Sequence, residues 1–330
     1  MTKSLLSKWK KYLPDPFILG IISMIVLAWL IPGIGGENSF IKLKVLTQYG
    51  IALLFFFYGL RLSPEKLVND LKNWRLHILI QSITFIVFPL LVLLFRPFLK
   101  GTDNEILWLA VFFLAALPST VSSSVVMVSI AKGNITSAIF NASISGVIGI
   151  VVTPLLMGFF LEKQAEAFDF GGVMADLFMT ILMPVFAGLL LHRFWGSWAI
   201  RNKRYLGLFD KSVILSVVYR SFSDSFLNGI FKNISWFDLI VLTASVIVLF
   251  FVVLNLTQAL TRLMKFNRED SITVIFCGSK KSLMHGSVMA GVIFAGSSAG
   301  SIFLVPIMIY HAFQLFYISL IAQKLGKDHS

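Results

Sequence analysis

Ten long apolar runs separated by short charged segments dominate the chain from Pro16 to Ala322, and that alternation decides what it can fold into. Runs of this length predict helices that cross a bilayer, whose hydrocarbon core is about 30 Å thick. They cover Pro16–Ile31, Leu46–Leu60, Leu76–Phe95, Ile106–Ala131, Ile135–Leu161, Leu177–His192, Ser212–Ile230, Phe237–Met264, Ser271–Phe294 and Ser301–Ala322. The second is short, and the seventh is interrupted by Arg220, Ser221, Ser223, Asp224 and Ser225. A composition of 57% hydrophobic and 13% charged residues points the same way, to an all-α polytopic membrane protein with the lipid bilayer as its surroundings.

Charge tests the span count. The net charge of +12 does not form one basic patch, which argues against a nucleic-acid partner. With the N-terminus in the cytoplasm, 19 of the 28 Lys and Arg fall in inside segments, 6 outside and three within spans. That bias is what the positive-inside rule predicts for ten spans with both termini cytoplasmic, in a bacterial-type inner membrane. Lys3, Lys8, Lys10 and Lys11 precede Pro14 without a small-residue cleavage site, so the start reads as an amphipathic lead-in. A single cysteine, Cys277, excludes an internal disulfide and a cysteine-based metal cluster.

The two halves echo each other in order. Pro16-Phe-Ile-Leu-Gly20 is matched by Pro184-Val-Phe-Ala-Gly188, and Lys72-Asn73-Trp74 by Lys232-Asn233 with Trp236. Asp103 and Glu105 before span four match Glu269-Asp270 before span nine, and Pro154 in span five matches Pro306 in span ten. These pairs predict a repeat of five spans, residues 1–162 and 163–330. Five is odd, so the second copy is inverted in the membrane, the arrangement of many secondary transporters.

Span nine carries the sharpest anomaly, Gly278-Ser279-Lys280-Lys281-Ser282 followed by His285, about half a bilayer from the charged edge Arg268-Glu269-Asp270. Two ammonium groups at that depth cost about 2.5–3.5 kcal/mol each on insertion scales. A bland reading lets them snorkel to the surface; the functional one sets them against an anion or a partner. Its counterpart, span four, has Pro118 and then Ser119, Thr120, Ser122, Ser123 and Ser124. Proline breaks a helix by removing a donor and clashing with the preceding turn. We therefore expect two interrupted helices, broken at Pro118 and Gly278, to cross at mid-membrane with the hydroxyls satisfying the freed backbone. Hydroxyls at these positions also suit ordinary small-residue packing. Arg220 and Asp224, spaced i,i+4, read as a salt bridge or as lining of a cavity. His285 reads as a polar spot or a third lining group; no metal-ligand spacing surrounds it.

At these residues the chain resembles the bile acid:sodium symporter superfamily, in its divergent SBF-like branch. The likeness runs over essentially the whole length, with local echoes at Phe88-Pro89, at Pro118 and its hydroxyl run, and at Ala131-Lys132-Gly133-Asn134. It implies ten helices in two inverted repeats, with helices four and nine broken and crossing. It also implies a panel domain (14–61 and 177–230) moving against a core domain (76–161 and 237–322) to carry a small organic anion. Carried over, the ion and substrate ligands fall on Ser122, Ser123 and Ser124, with Asn141 beside them and Thr84 or Gln81 on span three. The pattern departs at span nine: the family's acidic position is Phe276, and its Gln-Asn pair is Lys280-Lys281. Two lysines repel Na⁺, so built-in ammonium groups are expected in its place, or a proton as the coupling ion. No cofactor is implied. The alternatives are Na⁺ symport through the remaining oxygen ligands, cation/proton exchange, and a non-transporting membrane regulator. No nucleophile, acid–base pair or phosphate loop suggests an enzyme.

Overall fold

The computed structural model describes residues 16–36, 42–62, 73–102, 104–120, 122–161, 172, 175–176, 178–229, 235–294 and 300–327. Outside them lie the basic N-terminal segment, Lys72, Asp103, Lys232, Asn233, the limits Leu177 and Ile230, and the repeat boundary at 162/163. Within them the chain is helical and without strands. Six helices are long and apolar enough to cross a membrane: α2 (Leu43–Arg61), α3 (Trp74–Leu93), α6 (Ile135–Leu161), α7 (Phe178–Arg201), α9 (Trp236–Leu263) and α12 (Gly300–Lys327). The second apolar run is thus no stub, because Leu43 to Val45 at one end and Arg61 at the other extend its helix to 19 residues. α1 (Pro16–Leu30) is apolar but only 15 residues long. α8 (Lys203–Leu227) has the length, with 25 residues, but carries six charged side chains.

Four further helices among the described residues are short. α4 (Glu105–Ala116), α5 (Ser122–Ile130), α10 (Arg268–Gly278) and α11 (Leu283–Ile293) hold 12, 9, 11 and 11 residues. At 1.5 Å per residue each reaches about half a bilayer. Asn267 starts α10, its Oδ1 accepting from the Asp270 N–H at 2.8 Å, and Ser282 starts α11 in the same way from the His285 N–H at 3.2 Å.

Two groups of helices form. α7 lies along α2, and α1 along α8. The first pair is close because it meets at glycines: a Cβ on Gly59 would fall 2.2 Å from the Val185 carbonyl oxygen, and one on Gly188 2.1 Å from that of Phe56. Arg61 and Asp210 join α2 to α8 at 2.9 Å. The second group packs α3 on α4, α9 on α10, α5 on α6 and α11 on α12. α8 bridges the groups by packing on α11 and α12. Outward-facing Leu190, Trp236 and Leu263, with relative exposures of 78%, 83% and 77%, suit a lipid surrounding rather than water.

Candidate functional site

The interruptions fall where the local chemistry requires them. Pro118 cannot donate a backbone hydrogen bond, and the residue before a proline avoids the helical region. Leu117 accordingly turns extended, with φ −70° and ψ 152°. α10 ends at Gly278, and Ser279 folds its hydroxyl back onto the Ile275 carbonyl at 2.6 Å. The nearest atoms to a Cβ on Gly278 would be those of the Ile83 side chain, at an ordinary 3.5 Å, so the glycine is not what the break needs for space. The two breaks touch: the Ser282 N–H donates to the Pro118 carbonyl at 2.9 Å, and the Ser119 hydroxyl to the Cys277 carbonyl at 2.6 Å.

A helix that stops leaves its last carbonyls without partners, and here most of them find donors from other elements. At the end of α4, Leu114 accepts from the Leu117 N–H at 3.2 Å, and Ala116 from the Thr153 hydroxyl of α6 at 2.7 Å. Ala115 and Leu117 accept from Lys281 Nζ at 2.6 and 2.8 Å. At the end of α10, Phe276 accepts from the Ser124 hydroxyl at 3.4 Å, and Ser279 from the Tyr310 hydroxyl at 2.7 Å. The Ser119 N–H is taken by Ser145 Oγ at 3.0 Å.

Lys281 is fully buried, and its third proton goes to the Thr84 carbonyl at 2.8 Å. That carbonyl is free for a reason written in α3. Residues Ile83–Val87 form a π-helical stretch, in which the Phe88 N–H reaches back five residues to Ile83. The next such bond would run from residue 89 to Thr84, and residue 89 is proline. The ammonium also lies over the Phe88 ring, 4.1 Å from its centroid. Gln314 on α12 clamps the Lys281 backbone from both sides, accepting from its N–H at 2.9 Å and donating to its carbonyl at 2.8 Å. Every proton of this ammonium has an acceptor.

Lys280 is the opposite case. It is equally buried, yet its Nζ has no hydrogen-bond partner among the described residues. The ionisable group beside it is the buried Cys277 thiol, and none of the described carboxylates pairs with either lysine. Its neighbour in the turn, His285, shares Nδ1 with the Ser282 hydroxyl at 2.9 Å and leaves Nε2 without a partner. The imidazole stands edge-on to Tyr58 of α2, 5.5 Å between centroids.

The structure gathers Pro118, Ser119, Thr120, Ser123, Ser124, Gly278, Ser279, Lys280, Lys281, Ser282 and His285 at or next to the crossing, and Thr84 by its carbonyl. Thr120 bonds Ser124 at 2.8 Å and Ser123 at 2.9 Å. Ser122 begins α5, but its side chain lies outside the described residues. Gln81 and Asn141 form a separate polar group with His77, through contacts of 3.2 and 2.8 Å. Arg220 and Asp224 stand apart on α8 and approach each other to 3.8 Å. Sequence reasoning did not single out Thr153, Ser145, Tyr310 or Gln314 as site residues. The one signal for them was the i,i+4 spacing of Tyr310 and Gln314 behind Pro306. Among the described residues no group of three or more His, Cys, Asp or Glu is placed to hold a metal.

Comparison with known proteins places this arrangement. The model of the SBF-like CPA transporter family matches residues 15–327. An uncharacterized protein of Pseudomonas aeruginosa is 38% identical over 317 residues, covering 96% of this chain and 94% of the relative. The YfeH protein of Escherichia coli is 35% identical over 314 residues, 95% of this chain and 93% of its own. Sodium/bile acid cotransporter 7 of Xenopus tropicalis is 33% identical over 313 residues, 94% and 91% of the two chains. With a match over residues 15–327 and a helical fold throughout the described residues, this membrane protein belongs to the SBF-like CPA transporter family.

Proposed function

We propose that the protein is a secondary-active transporter that moves an organic anion by alternating access around the two broken helices, with Lys281 as a resident cation. One observation carries the reading: the Lys281 ammonium is held by three backbone carbonyls at 2.6 to 2.8 Å, and no carboxylate among the described residues pairs with it. Backbone carbonyls in a low-dielectric crossing attract a cation, and a covalently attached one needs no ion from solution. The partial positive ends of α5 and α11 meet at the same place and favour a negatively charged cargo. Relatives named as sodium/bile acid cotransporters support an amphipathic carboxylate or sulfonate as that cargo.

The architecture we infer has ten crossings, with α4–α5 and α10–α11 each making one, arranged as two inverted copies, α1–α6 and α7–α12. In favour of it, exchanging the copies maps the α1–α8 contact onto α7–α2. The same exchange maps α3–α4 onto α9–α10, and α4–α12 onto α10–α6. α1, α2, α7 and α8 would then be the panel and the other helices the core, with both termini cytoplasmic in a bacterial inner membrane.

Reconstitution into liposomes tests the reading. Uptake of cholate or taurocholate should proceed without a Na⁺ gradient and should not rise when one is imposed. Uptake that requires Na⁺ would overturn the resident-cation reading. Uptake of neither anion under Na⁺, proton or exchange conditions would overturn the organic-anion reading.

A further inference from the structure

Two adjacent lysines, both without exposed surface, are treated differently by the fold. The three protons of Lys281 are spoken for by Thr84, Ala115 and Leu117, and its backbone is fixed by Gln314. Lys280 Nζ has no hydrogen-bond partner among the described residues. An ammonium taken out of water with no acceptor is among the most expensive groups a protein can hold, far costlier than one paired and hydrogen-bonded. Packing alone does not account for it, since an apolar side chain of the same length would fill the space at lower cost.

We propose that Lys280 is the side chain that pairs with the negatively charged group of the cargo, a carboxylate or a sulfonate, while Lys281 never contacts it. The proposal rests on the organic-anion reading above and divides the labour within it. Three features place an anion beside Lys280. No carboxylate competes for the ammonium among the described residues. The N-terminus of α11 begins two residues on, at Ser282, and adds its partial positive charge. The His285 Nε2 of that same first turn is another buried polar atom without a partner among the described residues, and it can donate to an anion or accept from a protonated cargo. Lys281, by contrast, would have to give up its acceptors and orphan the end of α4 to reach a ligand.

The test compares purified wild type, Lys280→Met, Lys280→Gln, Lys280→Arg and Lys281→Met by melting temperature with and without cholate or taurocholate. Without ligand, Lys281→Met should melt several degrees lower, whereas Lys280→Met and Lys280→Gln should melt at or above the wild-type temperature. With either anion, wild type should gain stability. Both neutral Lys280 variants should lose about tenfold or more in apparent affinity, a change above 1.4 kcal/mol, and Lys280→Arg should recover part of it. If the neutral Lys280 variants gain as much from the anions as wild type, the proposal alone falls. If they melt as early as Lys281→Met, Lys280 is a structural group and the proposal also falls. If wild type gains nothing from either anion, the organic-anion reading fails and takes the proposal with it.

Discussion

At the scale of single residues, the lysine doublet shows how neighbouring side chains of one type come to differ. The identity of Lys281 is set by three carbonyls that belong to two other helices. Removing the ammonium leaves them buried and unpaired, at about 1–3 kcal/mol per orphaned group. Lys281→Ala should therefore lose at least about 3 kcal/mol of stability. Because the carbonyl cage would persist around a vacancy the size of a small cation, ammonium or methylammonium should restore part of the lost melting temperature in that variant. Neither should affect wild type, and equal responses of the two proteins would sink the cage interpretation. Thr153→Val makes a milder test. It keeps the shape of the side chain but strips the Ala116 carbonyl of its donor, so the loss should be about 1–2 kcal/mol. The sequence announced that a charged pair lies deep in an apolar run. It did not say which lysine was committed, because the acceptors lie about 165 and 197 residues away along the chain.

At the scale of elements, interruptions that look like defects supply the acceptors on which the crossing depends. The π-helical stretch of α3, followed by Pro89, releases the Thr84 carbonyl. Replacing a proline within a helix by alanine ordinarily stabilises it, by up to about 3 kcal/mol. Pro89→Ala should break this rule, since the new N–H would compete with Lys281 for Thr84 and tend to regularise the turn. We expect no gain or a net loss in melting temperature, and a gain of the ordinary size would contradict the role given to the π stretch. Helix contacts are as specific. The α2–α7 pair depends on backbone approach at Gly59 and Gly188, where a methyl group would strike backbone atoms at 2.2 and 2.1 Å. Gly188→Ala should force the pair apart at a cost of about 1–3 kcal/mol, readable as a lower melting temperature with the crossing left unchanged. Pro118 was legible as a break from composition alone, and the hydroxyl run behind it as a means of satisfying backbone. The π stretch was not legible, because nothing in Ile83–Val87 distinguishes it from a regular apolar helix.

For the whole molecule, what matters is how the two helix groups meet. Two polar bonds between described residues join them. The Tyr58 hydroxyl of α2 donates to the Ser143 carbonyl of α6 at 2.8 Å, and the Ser301 hydroxyl of α12 donates to Ser225 of α8 at 2.7 Å. If transport requires one group to slide on the other, these bonds must break in each cycle. A disulfide at the second contact should then arrest it. The pair Ser225→Cys with Ser301→Cys is expected to form that bond on oxidation and to lose uptake, with recovery on reduction. The native Cys277 is buried and should not interfere. Full uptake by the oxidised, cross-linked protein would refute relative movement at this interface.

Apolar run length and the placement of proline are local quantities, and they suffice for the class of molecule and for α4 stopping short before Pro118. Membrane solvation dictates each of these one segment at a time, with no reference to neighbours. Tertiary structure alone decided that Lys281 closes on carbonyls at Thr84 of α3 and at the end of α4, that Gln81 and Asn141 bond each other, and that Lys280 is left without an acceptor among the described residues. Those outcomes depend on which orphaned carbonyl faces which donor once the helices are packed, and hydrogen-bond geometry of that kind has no signature in linear sequence.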